Sequence, residues 1–296
     1  MRKIEGVPLS RDRIIYPNAI YHITHRAPGK EVLFLEDSDY LYMLSLLKSI
    51  PQKFNWKIFS FCLMPNHLHL LVQIEDENLS LGAKYLFEKY AKYLNAKYSR
   101  KGPVFCKPFR ACLCLKEKYL LAISLYIHLN PLKARLIKEL GKYRWSSLNL
   151  FVDRISRQSF VDCDFILNML NANTEKSKEI YINLINDAIN VQLNTISQDL
   201  NALNKFRLEF AYYMKSKNKV DNVDEDTLKL CDEIERTKKI KHFTQPEDVA
   251  AIKYLGEQLL SNGCTISEIA KMLHKSRQLI SRKLISNPAT SHNNQI

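Results

Sequence analysis

The chain has no CxxC pair, no GxxxxGK[ST] loop, no apolar run of 18 residues and no signal-peptide pattern, and each absence removes a class of protein. Seven cysteines stand singly at 62, 106, 112, 114, 163, 231 and 264, an odd number that fits free thiols in a reducing compartment better than a disulfide framework. Cys106, Cys112 and Cys114 with a nearby histidine could bind zinc, but without a paired CxxC buried thiols are the favoured reading. The missing apolar run leaves no membrane-spanning candidate. The opening Met1-Arg2-Lys3-Ile4-Glu5 lacks the apolar segment and cleavage site of a leader, so a soluble, cytoplasmic protein with no membrane partner is expected.

What is present is length, apolar content and positive charge. At 296 residues and 46% hydrophobic, the chain is long enough for two or three units with real cores. The net charge of +13 is uneven: residues 1–151 carry 24 Lys+Arg against 12 Asp+Glu, and residues 152–296 carry 20 against 19. The first part therefore expects a polyanionic partner. Basic and aromatic residues interleave in Phe87-Glu88-Lys89-Tyr90-Ala91-Lys92-Tyr93 and in Lys97-Tyr98-Ser99-Arg100-Lys101, the mixture that meets phosphates and stacks on bases of single strands. A solvated lysine face on an amphipathic helix accounts for either segment alone; the regional asymmetry favours nucleic acid.

Hydrophobic periodicity predicts a strand near 19–26, a helix over 38–54 opened by Asp37-Ser38-Asp39, strands over 56–63 and 67–74, a helix over 81–98, an extended basic stretch over 104–115 and a helix over 118–129. The short Met64-Pro65-Asn66 link makes the middle strands a hairpin. This βαββαβα order implies an α+β fold, a ferredoxin-like split βαβ sandwich.

Two spacings within that frame carry chemistry. His67 and His69 stand at i and i+2 of a strand, so their imidazoles leave the same face side by side, as a metal would require. Half-buried strand histidines with ordinary hydrogen bonds are the commoner meaning of a lone HxH. In Tyr126-Ile127-His128-Leu129-Asn130-Pro131, proline marks an expected helix end and leaves Tyr126 and Asn130 four apart on one face.

These motifs occur together with Arg11-Asp12-Arg13-Ile14, Tyr21-His22-Ile23-Thr24, Phe61-Cys62-Leu63-Met64-Pro65-Asn66-His67-Leu68-His69-Leu70-Leu71, Asn78-Leu79-Ser80, Tyr119-Leu120-Leu121 and Trp145-Ser146-Ser147. In that order, over residues 8–151, the chain resembles the HUH single-tyrosine transposases, and among them the REP-associated tyrosine transposases. The resemblance implies that His67, His69 and Asn130 hold a divalent metal, Mg²⁺ or Mn²⁺, and that Tyr126 is the nucleophile. It also implies metal-dependent cleavage and strand transfer of single-stranded or hairpin DNA through a 5′-phosphotyrosine, in a bacterial, nucleoid-associated setting. One segment departs from the family's usual Phe-Gln-x-Arg-Phe/Tyr-Lys: it reads Phe105-Cys106-Lys107-Pro108-Phe109-Arg110. Lys107 and Arg110 remain as expected DNA contacts.

Beyond Phe151 the composition shifts towards Asn, Ile and Leu, helices are expected near 164–170 and 176–193, and residues 152–245 read as a helical spacer. Residues 246–286 resemble a helix-turn-helix preceded by a helix over 246–260. Thr265 and Ser276 are N-cap candidates, Ile269, Ala270, Leu273, Leu279 and Ile280 are packed positions, and Ser276, Arg277, Gln278, Ser281 and Arg282 open a DNA-reading helix. His274 stands where such turns often carry glycine. The expected activity is thus that of a DNA strand transferase, with a homodimer left open. A water-using phosphoryl hydrolase, a non-catalytic DNA-binding regulator or domesticated transposase, and an RNA-binding domain are the alternatives.

Overall fold

The computed structural model describes residues 15–29, 31–106, 108–114, 117–153, 159–189, 200–217, 219, 221, 223, 225–240, 245–261 and 266–285. The elements β1 (Ile20–Arg26), α1 (Asp37–Phe54), β2 (Trp56–Met64), β3 (His67–Ile74), α2 (Leu79–Lys97) and β4 (Arg110–Cys114) follow in the order expected from the sequence. The strands lie in the order β2-β3-β1-β4, every neighbour antiparallel. β3 separates β1 from β2, and β1 separates β3 from β4, so two βαβ halves interleave into a split βαβ sheet. Pro65 and Asn66 join β2 to β3, and the Pro65 and Asn66 carbonyls accept from the N–H groups of Leu33, Phe34 and Ala27, which pins the hairpin tip.

Strand alternation gives this sheet two apolar faces. Tyr21 and Ile23 of β1 and Leu68, Leu70, Val72 and Ile74 of β3 belong to one core with Met43, Leu47 and Ile50 of α1 and Leu86, Tyr90 and Leu94 of α2. Each such side chain contributes about 1.5–3 kcal/mol by leaving water. Gly82 permits the close approach of α2: a Cβ there would lie 2.3 Å from Cζ2 of Trp56, the first residue of β2. The start of α1 is fixed by Asp39, whose fully buried carboxylate accepts from the Leu35 and Glu36 N–H groups and pairs with Lys97 of α2 at 2.7 Å.

The opposite face is covered by α3 (Glu117–Lys133), which packs on β2 and β3. Contrary to the expected stop at Pro131, α3 runs on through it. Proline lacks only its own N–H bond to the preceding turn and can be carried in a last turn that other bonds close. The Ala134 N–H reaches the Asn130 carbonyl at 2.8 Å, the Leu136 N–H reaches that of Pro131 at 2.9 Å, and Arg135 takes a left-handed φ of 59° as the cap.

Three further helices, α4 (Leu148–Val152), α5 (Cys163–Asn168) and α6 (Thr174–Ile189), pack behind α3 and β2. The chain divides into two compact units, Met1–Ile196 and Ser197–Ile296, whereas the sequence reading drew boundaries after 151 and 245. The reason is a buried polar chain. The Tyr181 hydroxyl of α6 meets Ser124 Oγ at 2.8 Å and His128 Nδ1 at 2.7 Å. His128 Nε2 then meets Ser147 Oγ at 2.8 Å, and Ser147 Oγ accepts from the Phe61 N–H of β2. The second unit holds α7 (Leu200–Ser216), α8 (Glu225–Lys239), α9 (Pro246–Ser261), α10 (Ile266–Met272) and α11 (Arg277–Ile285).

Among the described residues no helix is long and apolar enough to cross a membrane. Among the described residues Cys62, Cys106, Cys112, Cys114, Cys163 and Cys231 form no disulfide, and no group of three or more His, Cys, Asp or Glu side chains is placed to hold a metal.

Candidate metal and nucleophile site

The site forms where β3 and β1 meet α3. Odd positions of β3 point away from the α1/α2 core, so His67 and His69 leave the sheet on the α3 side. In the antiparallel register Arg26 lies opposite His67, Thr24 opposite His69 and His22 opposite Leu71, which makes His22 the diagonal neighbour of His69. The His67 and His69 rings are 4.9 Å apart at 80°. From α3, the Tyr126 ring meets the His69 ring edge-on at 5.7 Å and the His22 ring at 6.2 Å. All these contacts lie within one chain.

Hydrogen bonds orient the three groups expected to hold metal. His67 Nδ1 lies 2.7 Å from Asn66 Oδ1. An amide oxygen only accepts, so His67 carries its proton on Nδ1 and its lone pair on Nε2. His69 Nδ1 lies 3.0 Å from His22 Nε2. Asn130 donates through Nδ2 to the Tyr126 carbonyl at 2.8 Å, which leaves Oδ1 as its outward atom. His67, His69 and Asn130 are 6%, 2% and 1% exposed, yet His67 Nε2, His69 Nε2 and Asn130 Oδ1 are buried without a hydrogen-bond partner. A buried polar atom left unpaired costs about 1–3 kcal/mol. Three of them on the expected ligand set are what a cation site looks like before its ion is counted, and two imidazoles with one amide oxygen suit a divalent metal.

Burial also sets the protonation of these histidines. Burial holds His22 at about 3 and His67 at about 4, with the Arg26 charge adding to the effect at His67. Burial, then the charges of His67 and His22, hold His69 well below its ordinary value. At neutral pH all three imidazoles are uncharged, the form that offers a lone pair.

The remaining expected residues fall in two places. Arg110 opens β4 opposite Thr24, so it shares one cross-sheet row with Thr24 and His69, about 10 Å from the latter at two strand spacings. Its side chain is exposed on that face. Lys107 lies outside the described residues. In the second unit Ile269, Ala270, Leu273 and Ile280 are buried where α9, α10 and α11 pack together. His274 takes the left-handed turn conformation at φ 54°, and Ser276 caps α11 by accepting from the Leu279 N–H at 3.2 Å. Ser276, Arg277, Gln278 and Arg282 are exposed and Ser281 is half-buried. Thr265 lies outside the described residues.

His22 and Asn66, which hydrogen-bond His69 and His67, were not singled out from the sequence. Asn66 had a signal in its place just before the histidine strand. His22 had only its place in the Tyr21-His22-Ile23-Thr24 segment, because the β1–β3 register alone brings it beside His69.

Residues 16–130 match the family described as Transposase IS200 like. That segment spans β1 to Asn130 and contains every residue of the site. A solved structure of a REP-associated tyrosine transposase bound to a REP hairpin is similar with a TM-score of 0.44 at 14% identity, over 50% of this chain and 87% of that chain. No curated protein matches the chain.

Proposed function

We propose that the first unit cuts and rejoins one strand of DNA through a covalent bond to Tyr126. The observation that carries this reading is the set of three unpaired buried atoms, His67 Nε2, His69 Nε2 and Asn130 Oδ1, beside the Tyr126 ring. The match of residues 16–130 to an IS200-like transposase model supports DNA as the substrate class. Mg²⁺ or Mn²⁺ held by those three atoms would act as a Lewis acid on the scissile phosphate.

The chain's own residues do the rest. Tyr126 Oη forms the new bond to phosphorus, the bond from phosphorus to the 3′-oxygen breaks, and the products are a 5′-phosphotyrosine and a free 3′-hydroxyl. One phosphodiester is exchanged for another, so the step is near thermoneutral and reversible, and the 3′-hydroxyl of a second strand can attack the phosphotyrosine to rejoin. α3 and β3 are both rigid elements, which holds the nucleophile over the ligand face and limits the entropy lost on reaching the transition state. The cross-strand position of Arg26 and the exposed Arg110 place positive charge on the same face for the DNA backbone. A preference for single-stranded or hairpin substrates rests on the sequence resemblance. The α9–α11 unit, with Arg277 and Gln278 exposed at the start of α11 and Arg282 exposed in its last turn, serves to hold duplex DNA.

The test is incubation of the purified protein with end-labelled single-stranded DNA, hairpin DNA and RNA of equal sequence, in Mn²⁺, Mg²⁺ or EDTA, read on a denaturing gel. A protein-linked product from DNA alone, lost in EDTA, supports the reading. Tight DNA binding without any product on all substrates would favour the non-catalytic regulator, and cleavage that persists in Tyr126→Phe would favour a hydrolase that uses water.

A further inference from the structure

The hydrogen bond between His22 and His69 has two mutually exclusive proton arrangements, and only one leaves His69 able to bind a metal. Each neutral imidazole carries one N–H and one lone pair. If His22 Nε2 holds the proton and donates, His69 Nδ1 is the acceptor and the His69 proton sits on Nε2, the very atom that faces the site unpaired. If His69 Nδ1 donates, its Nε2 lone pair is exposed to the site, and His22 must keep its own proton on Nδ1. His67 has no such choice, because its partner is the acceptor-only Oδ1 of Asn66.

We propose that His22 is a positioning residue for the metal site: by accepting the Nδ1–H of His69 on Nε2, it fixes the His69 tautomer and ring plane so that Nε2 can ligate. This rests on the metal-site reading above and deepens it. The geometry supports the role in three ways. His22 is 3% exposed, so water does not supply the alternative acceptor. The two ring planes lie within 8° of each other with centroids 5.3 Å apart, so the N···N hydrogen bond runs in the plane of both rings and aligns them. His22 stands on β1 while the ligands stand on β3, so β-sheet register itself carries the alignment. Ligating histidines generally donate their other N–H to a fixed acceptor, and loss of that acceptor typically costs about 10- to 100-fold in metal affinity.

The experiment uses the full chain and Mn²⁺ alone, with free Mn²⁺ counted by electron paramagnetic resonance, and needs no DNA and no turnover. His22→Phe, which keeps a ring of similar size without nitrogen, is expected to bind Mn²⁺ about 10- to 100-fold more weakly than wild type. His22→Gln, whose Oε1 can accept the same proton, is expected to recover most of the loss, which a purely structural role for the ring would not do. In parallel, ¹⁵N shifts of the metal-free wild-type protein should show His69 protonated on Nδ1 and bare on Nε2. His22→Phe binding within twofold of wild type while His69→Ala loses Mn²⁺ would overturn the role of His22 and leave the metal site standing. Wild-type protein that binds no Mn²⁺ would overturn both. If His22→Phe does not fold, the ¹⁵N result decides: a proton on Nε2 of wild-type His69 overturns the proposal.

Discussion

Asn130 and Tyr126 stand one helical turn apart on α3, and the Asn130 side chain donates to the Tyr126 carbonyl at 2.8 Å. This bond uses Nδ2 and leaves Oδ1 as the unpaired end of the amide. It also ties a ligand of the proposed metal to the backbone of the proposed nucleophile, so that the two cannot be placed independently. Pro131 follows at once, and the absence of its N–H exempts the helix from one bond in the turn where this arrangement is made.

If the three unpaired atoms accept a cation, binding must stabilise the fold. At a free Mn²⁺ concentration of 100 times Kd the gain is about 2.7 kcal/mol. For a unit of this size that is a rise in Tm of about 5–10 °C. Differential scanning calorimetry with and without Mn²⁺ should show the rise in wild type and little or none in His69→Ala or Asn130→Ala.

Asp39 should make stability fall in acid. Burial alone would raise its pKa, but Lys97, the Glu36 and Leu35 N–H groups and Tyr98 together hold it below the ordinary value. A carboxyl depressed on folding contributes stability that is complete above its unfolded pKa, near 4, and is lost as pH falls through the folded value. Asp39→Asn is expected to cost about 1–3 kcal/mol at pH 7. In urea titrations the gap to wild type should narrow progressively below about pH 4 to 5.

Helix α6 belongs to the first unit, so a chain cut after 151 should not fold cooperatively while one cut after 196 should. The shorter chain lacks Tyr181, and with it the partner of Ser124 and His128 on the rear of α3. In the full chain, Tyr181→Phe keeps the ring but removes the hydroxyl, and is expected to cost about 1–3 kcal/mol by urea denaturation.

For the second unit, Arg277→Ala and Arg282→Ala should weaken binding to duplex DNA across all sequences. Where the guanidinium meets phosphate, each should reduce the slope of log K against log salt by about 1. Fluorescence anisotropy at several salt concentrations reads both quantities, and unchanged slopes would remove α11 from the DNA-binding surface.

Much of the fold was legible because its signals are local. Alternation in β3, the Pro65-Asn66 turn and the apolar spacing of α1 and α2 each depend on neighbours within a few residues, and the strand order follows from the βαββαβ alternation. The spacing of His67 and His69 and of Tyr126 and Asn130 was likewise readable, since strand and helix periods fix which side chains share a face. The partners that orient them were less so. His22 reaches His69 across a strand register, and Tyr181 reaches His128 across 53 residues of chain. Residues 152–245 read as a spacer because the contribution of the first part, Tyr181 included, is a buried network with no motif of its own. The run through Pro131 was missed because a proline's cost depends on whether later bonds close the turn, and the Leu136-to-Pro131 bond is invisible in a linear reading.

The central claim is that Tyr126 becomes covalently joined to DNA, and peptide mapping by mass spectrometry after reaction with single-stranded DNA and Mn²⁺ tests it most directly. The account predicts a nucleotide mass on the peptide that contains Tyr126, absent in Tyr126→Phe and absent in EDTA. Adduct on any other residue, or strand cleavage with no adduct on Tyr126, would contradict it.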